Sequence, residues 1–242
     1  MIMDKNKGVS IKFMGHSTFL LRSPGGKIVL IDPWVSSNPS CPEEAKSLDR
    51  LDLMLITHGH GDHMPEAASL ASRFGPWTVC NFEISQWLGS HGVRDRIVGM
   101  NKGGTVEIEG MRVTMVDAKH SSSITEDDGT LTYAGEAAGY VLEFENGYKV
   151  YHAGDTSVFG DMKLIGEIYR PDLALLPIGD HFTMGPLEAA HACRLLGTGK
   201  VIPMHYATFP VLTGTPAKLR EMVSGLDVEI IELLPGREIM VG

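Results

Sequence analysis

The run Thr57-His58-Gly59-His60-Gly61-Asp62-His63 gathers three imidazoles and a carboxylate within six consecutive residues. Metal coordination explains that density of nitrogen and oxygen donors, and solvation alone does not. In extended backbone successive side chains face opposite ways, so His58 and His60 point to one side and can share one ion. Gly59 and Gly61 leave room around the chain. Asp62 and His63 fall where the chain turns toward a helix expected to open at Pro65, a residue suited to a first turn, and so aim at a second ion nearby. Imidazole with carboxylate suits zinc, manganese, iron or nickel. A thiolate-rich set would indicate structural zinc or an iron-sulfur cluster, and no cysteine is near this run.

Short apolar strands have to carry such ligands. Leu51 to Ile56 reads as a buried strand that delivers the histidines on the loop at its end. Three further candidates stand in the same kind of place. His120 follows the alternating segment Met111 to Val116. Asp155 lies in Tyr151 to Thr156, just after an Asn146-Gly147 hairpin signal. His205 closes Lys200 to Met204. Elsewhere the pattern predicts strands near residues 9–14, 17–22, 27–32, 77–80, 105–117, 138–145, 148–153, 172–178, 228–233 and 237–241. Helices are predicted near 64–74, 82–88, 158–169, 186–196 and 215–224. Strands mixed with covering helices imply a layered α/β domain. No linker, internal repeat or low-complexity tract divides the chain, so residues 1–242 are read as a single domain.

The THGHGDH run, the later His120, the Ala153-Gly154-Asp155-Thr156 segment and the distal His205 resemble, in this order, the metallo-β-lactamase superfamily. The resemblance implies a four-layer αβ/βα sandwich with the metals at one edge. It also implies the pairing of ligands: His58, His60 and His120 on one ion, Asp62, His63 and His205 on a second, and Asp155 between them. A narrower resemblance rests on Gly15 to Phe19, Tyr133 to Tyr140 and Leu176 to Pro186. It points to the metal-dependent hydrolases related to L-ascorbate-6-phosphate lactonase, a branch that says little about substrate. Two divalent transition-metal ions, zinc or manganese foremost and iron or nickel as alternatives, are the implied cofactors.

Ions about 3.5 to 4 Å apart share a water and lower its pKa from about 15.7 toward roughly 7. A metal-bound hydroxide would then attack a small ester, lactone or phosphoester, and no serine or cysteine nucleophile is required. Asp62, Asp155 and His181 are the residues expected to act on the reaction. His181, in the loop after residue 178, is the candidate for substrate contact or proton donation. His16 is expected to line the pocket, fix a second hydrogen bond around the metals, or pack. Glu136 is placed near the pocket by the branch resemblance alone. His152 reads as structural, and His91 and His191 read as surface or helix-face residues. The loops 33–46 and 121–135, the latter with Glu126, Asp127 and Asp128, are long enough to rim the metals.

Of 242 residues 43% are hydrophobic, enough for a sizeable core. The net charge of −9 with no basic run works against nucleic acid or anionic membranes as partners. A pair of divalent ions would still attract a small anionic substrate. No stretch reaches the roughly 18 apolar residues of a membrane span, and Met1 to Gly8 lacks the apolar core of a signal peptide. Cys41, Cys80 and Cys193 are odd in number and lack C-x-x-C spacing, which favours free thiols and a cytoplasmic location. Whether the chain forms a homo-oligomer stays open. Two other readings remain. A phosphodiesterase or nuclease would call for a basic arm to hold nucleic acid. The other is a non-hydrolytic protein, either a metal-binding module or a redox member of the superfamily, for which the resemblance would call for a glutamate at position 60 and a flavin domain.

Overall fold

The computed structural model describes residues 8–242, so the stretch read for a signal peptide lies almost wholly outside the described residues. Strands β1 (Val9–Gly15), β2 (Thr18–Arg22), β3 (Ile28–Ile31), β4 (Leu53–Leu55), β5 (Trp77–Asn81), β6 (Ile97–Met100) and the last strand, β16 (Glu238–Val241), form one seven-stranded sheet in the order β16-β1-β2-β3-β4-β5-β6. The other seven-stranded sheet runs β15-β14-β13-β12-β11-β8-β7. Its members are β7 (Thr105–Ile108), β8 (Met111–Asp117), β11 (Ala138–Glu143), β12 (Lys149–His152), β13 (Leu173–Pro177), β14 (Lys200–Met204) and β15 (Glu229–Ile230). A short hairpin of β9 (Ser123–Thr125) and β10 (Leu131–Tyr133) stands apart.

The period of two along each strand builds the layers. Leu53 and Leu55 of β4 enter the core between the sheets, where Leu173 and Leu175 of β13 meet them. The alternate residues Met54 and Ile56 instead join a second core under helices α1 (Ala67–Phe74) and α2 (Phe82–Ser90). Ala174 and Leu176 join a third under α3 (Met162–Tyr169), α4 (Pro186–Leu196) and α5 (Pro216–Met222). Each fully buried aliphatic side chain contributes about 1.5–3 kcal/mol. The result is the αβ/βα sandwich that the resemblance implies.

Strand direction brings the candidate residues to one edge. β3, β4 and β5 run parallel, and β1 shares their direction because both β1 and β3 pair antiparallel with β2. In the second sheet β12, β13 and β14 are parallel, and β8 points with them because β8 and β12 both pair antiparallel with β11. The loops that follow β1, β3, β4, β8, β12 and β14 therefore emerge together. Across the sheets the Tyr140 hydroxyl donates to the Ile56 carbonyl at 2.8 Å, and Ala138 N donates to the Thr57 carbonyl at 3.0 Å.

Several local expectations change. The stretch 105–117 is a hairpin, not one strand, because Glu109 and Gly110 adopt positive φ of 55° and 84° and reverse the chain. Pro65 does not open the helix. Turns fill residues 61–66 and α1 begins at Ala67, because the Glu66 side chain accepts from Val35 N and Ser36 N at 2.7 Å each and so ties down the preceding loop. Residues 158–161 are likewise not helical; α3 starts at Met162. The strand β6 and the hairpin β9-β10 inside loop 121–135 are additions. The three cysteines are free and buried, and burial pushes the Cys80 thiol up to about 12 and the Cys41 thiol to about 11. Among the described residues no helix is long and apolar enough to cross a membrane.

Candidate metal centre

At the loop end of β4, Thr57 N and Thr57 Oγ1 both donate to the Asp32 carboxylate at 2.8 Å, which locks the start of the histidine loop. With its proton on Asp32, the Thr57 hydroxyl can accept from His58 Nδ1 at 3.0 Å and leave His58 Nε2 free for a ligand. His58 Nε2 and His60 Nδ1 face each other at 3.0 Å, and the His120 ring centroid lies 5.1 Å from both rings. Gly59 has no side chain for a reason: a Cβ there would stand 2.6 Å from the Ala134 Cβ, closing off the approach of the β9-β10 hairpin. Gly59 N donates instead to Ser122 Oγ at 3.1 Å.

His63 is fully buried, with Nδ1 2.7 Å from Asp32 Oδ2 and Nε2 3.3 Å from Asp155 Oδ2. The same Asp155 oxygen lies 2.9 Å from His205 Nε2 and 3.7 Å from His120 Nε2. His16, itself buried, adds a contact to the half-buried Asp62, its Nε2 3.1 Å from Asp62 Oδ2. One donor atom from each of His16, Asp62, His63 and His205 lies within 4.8 Å of the others; the same holds for His58, His60 and His120, and for His58, His63 and Asp155.

The electrostatics of this cluster favour a cation. Burial works against charge on His63, but the Asp155 and Asp32 carboxylates outweigh it and hold its pKa well above the ordinary value. Burial would likewise raise Asp155, yet His205 and His63 hold its carboxyl well below the usual range. Asp62 is also held low, burial being outweighed by the hydrogen bond from His16 and by His63. His58 is pushed well down by burial and by its neighbour His63, and burial lowers His60 and His120 too. His63 Nε2, Asp155 Oδ1 and His205 Nδ1 are buried with no hydrogen-bond partner. Each unsatisfied buried polar atom costs about 1–3 kcal/mol. Three in one cluster of nitrogen and oxygen donors fit a site built for divalent transition metal, with imidazole and carboxylate ligands and no thiolate.

All seven predicted ligands thus gather at one edge, and His16 with them. Two predicted residues are not among these clustered donors, although the loop after β13 that carries His181 leaves the same sheet edge. His181 is exposed at a turn, its ring packed edge-on against Phe182. The Glu136 side chain is 75% exposed and pairs with Lys102 at 2.8 Å. His152 is structural, as expected: buried, with Nε2 2.9 Å from the Ser17 carbonyl. His91 and His191 are exposed. Asp32 escaped the sequence reading although it carries the same signal as the ligands, a polar residue at the end of an apolar strand. Thr57 carries that signal too, at the head of the histidine run, whereas Ser40 and Thr208, which contact each other and His16, do not.

A sandwich of this kind with a histidine and aspartate cluster at the strand ends defines a class of metal-binding α/β proteins. The family model of the beta-lactamase superfamily domain matches residues 27–206. The chain is 51% identical over 243 residues to a UPF0173 metal-dependent hydrolase of Rubrobacter xylanophilus, covering 99% of both chains. It is 50% identical to another from Roseiflexus castenholzii, covering 96% of this chain and 98% of that one. Among solved structures, Igni18, a metallo hydrolase from the archaeon Ignicoccus hospitalis, superposes with a TM-score of 0.84 at 33% identity, covering 97% of this chain and 98% of its own. The chain belongs to the metallo-β-lactamase superfamily and, within it, to the UPF0173 metal-dependent hydrolases.

Proposed function

We propose that this protein is a hydrolase with a dinuclear metal centre acting on a small ester, lactone or phosphoester. The observation that carries this reading is the convergence on Asp155 Oδ2 of His205, His63 and His120, at 2.9, 3.3 and 3.7 Å, from three distant stretches of chain. His58, His60 and His120 would hold one ion, Asp62, His63 and His205 the other, and Asp155 both. Zinc or manganese suits these donors best, with iron or nickel next. Bound there, such ions supply Lewis acidity, which lowers the pKa of water toward about 7 and polarises a carbonyl or phosphoryl oxygen.

The chain's own groups prepare that chemistry. Asp32 holds a proton on His63 Nδ1, so Nε2 is the nitrogen that would give its lone pair to a cation in place of a proton. Thr57 does the same for His58. Asp155, buried and held ionised, supplies the negative charge that the cations require. The cysteines take no part as nucleophiles, because all three are buried and burial raises their thiol pKa values.

Beside the histidine loop a cavity of about 360 Å³ is walled by Gly59, Gly61, Met64, Trp87, Ile124 and Glu126, among others. That size suits part of a small molecule. The net charge of −9 also argues against polynucleotides.

A panel of lactones, phosphomonoesters, phosphodiesters and thioesters tests the reading. Turnover of at least one class by the metal-loaded protein, lost in Asp155→Ala with the fold intact, is expected. Equal rates in both proteins would refute it. Including His181→Ala separates a role at the substrate, seen as lost turnover with metal content kept, from a role in metal support, seen as both lost together.

A further inference from the structure

His16 stands between two partners of opposite hydrogen-bonding character. Its Nδ1 lies 2.9 Å from the Thr208 hydroxyl and its Nε2 lies 3.1 Å from Asp62 Oδ2. The ring is buried, and it leans on His205 at 4.1 Å with Trp34 and Phe209 edge-on at 5.2 and 5.5 Å. A neutral imidazole, the form burial favours, has one N–H and one lone pair, and an ionised carboxylate only accepts. The proton therefore belongs on Nε2, directed at Asp62. Nδ1 is left as an acceptor, and the Thr208 hydroxyl donates to it at 2.9 Å in preference to the Tyr206 carbonyl, the other acceptor in its reach, at 3.5 Å. Thr208 Oγ1 in turn accepts from Ser40 Oγ at 3.2 Å.

Every donor in this series then points the same way, from Ser40 to Thr208 to His16 to Asp62. With Asp62 Oδ2 occupied by an N–H, Oδ1 remains, and it lies 4.0 Å from His63 Nε2. We propose that Ser40, Thr208 and His16 form a one-directional relay that turns Asp62 so that Oδ1 faces the second cation position. His16 and Thr208 are thus positioning residues and not ligands. The proposal rests on the reading above that Asp62 and His63 serve that position.

The backbone is shaped for this relay. His16 adopts a left-handed φ of 58°, a conformation that costs a non-glycine residue on the order of 1 kcal/mol and recurs where function demands it. Its carbonyl accepts from His205 N at 2.7 Å, which ties the relay to a predicted ligand. Gly15 combines φ of 105° with a site where a Cβ would stand 2.8 Å from the Ser40 Cβ, so glycine alone admits the Ser40 loop. Asn38 fixes that loop, donating from Nδ2 to the Gly15 carbonyl at 3.2 Å and accepting from Ser40 N at 2.9 Å.

The competing role gives the opposite tautomer. Were His16 a ligand through Nε2, its proton would move to Nδ1 and be donated to Thr208. Nitrogen-15 NMR of the His16 side chain, in metal-free and zinc-loaded protein, reads this directly. The relay predicts Nε2–H in both. An Nδ1–H tautomer in either overturns it. Thr208→Val is expected to weaken zinc at the second position by about 10–100-fold in chelator competition, while Thr208→Ser keeps the hydroxyl and stays near wild type. A folded Thr208→Val protein that binds zinc as tightly as wild type also overturns the relay. If wild type takes up no second zinc, the dinuclear reading fails, and the tautomer of the metal-free protein still decides the relay.

Discussion

His63 rests its Nδ1 on a fully buried carboxylate at 2.7 Å, whereas His60, in the same loop, turns its Nδ1 to His58 and supports its Nε2 with the Ser121 hydroxyl at 3.4 Å. The contrast extends to their neighbours in part. His63 and His205 are at most 1% exposed and His60 and His120 are half-buried, while His58 is fully buried and Asp62 half-buried. A ligand whose other nitrogen is already bonded inside the protein is oriented before any ion arrives, and its affinity for metal rises accordingly. His63, and His58 through Thr57, are thus preorganised, His205 Nδ1 has no such partner, and the His60 and His120 side is open to solvent and to whatever approaches from it. In the proposed enzyme, retention of metal and access of substrate fall to different ends of one cluster.

The largest effect is expected where the two ends meet. Asp155→Ala should empty both positions and reduce turnover by about 1,000-fold or more, several kcal/mol at 1.36 kcal/mol per decade. A variant that kept one ion would show that the ends are independent. Asp32→Asn comes next. It frees His63 to adopt the wrong tautomer and should weaken the second position about 10–100-fold in metal competition, and the first by less, since Asp32 reaches His58 only through Thr57. Equal weakening at both ends would remove the contrast.

The buried charges also give the metal-free protein a pH signature. His63 has its pKa raised in the fold, so its contribution is fully present below its unfolded value near 6.5 and is lost as pH rises through the folded value. Asp155 is depressed, so its contribution is present above about 3.9 and is lost as pH falls through its folded value. Because His16, His58, His60, His120 and His152 are depressed and act in the opposite sense, the His63 share is read by difference: in the chelated protein Asp32→Asn should lower the melting temperature more at about pH 6 than at about pH 9. A loss that is no smaller at about pH 9 would deny the charge pairing of His63. The smallest effect is expected at the open end, where Ser121→Ala should change stability by less than about 0.5 kcal/mol and leave the metal content intact.

Much of this was legible in the sequence because the ligands obey one rule. His58, His120, Asp155 and His205 each follow an apolar run, and the alternation within those runs assigns one face to the inner core and one to the helices. The ordering of the two sheets and the pairing of ligands depended on the resemblance, since no local pattern links His58 to His120. Asp32 obeys the same rule at the end of β3, but a single acid before Pro33 also reads as an ordinary turn. β6 was missed because, at a sheet edge, its residues are half-buried or exposed and show no clear alternation. Ser40 and Thr208 are hydroxyls in irregular loops, whose roles exist only once distant segments meet. Glu136 was expected near the pocket from its neighbours in sequence, and the pull of Lys102 directs its carboxylate outward.

The account depends most on a pair of cations held by this cluster, and counting them is the direct test. Wild-type protein equilibrated with zinc or manganese and freed of excess ion should hold about two equivalents by elemental analysis, and Asp155→Ala should hold close to none. Wild-type protein that retains no metal, or an Asp155→Ala variant that retains as much as wild type, would contradict it.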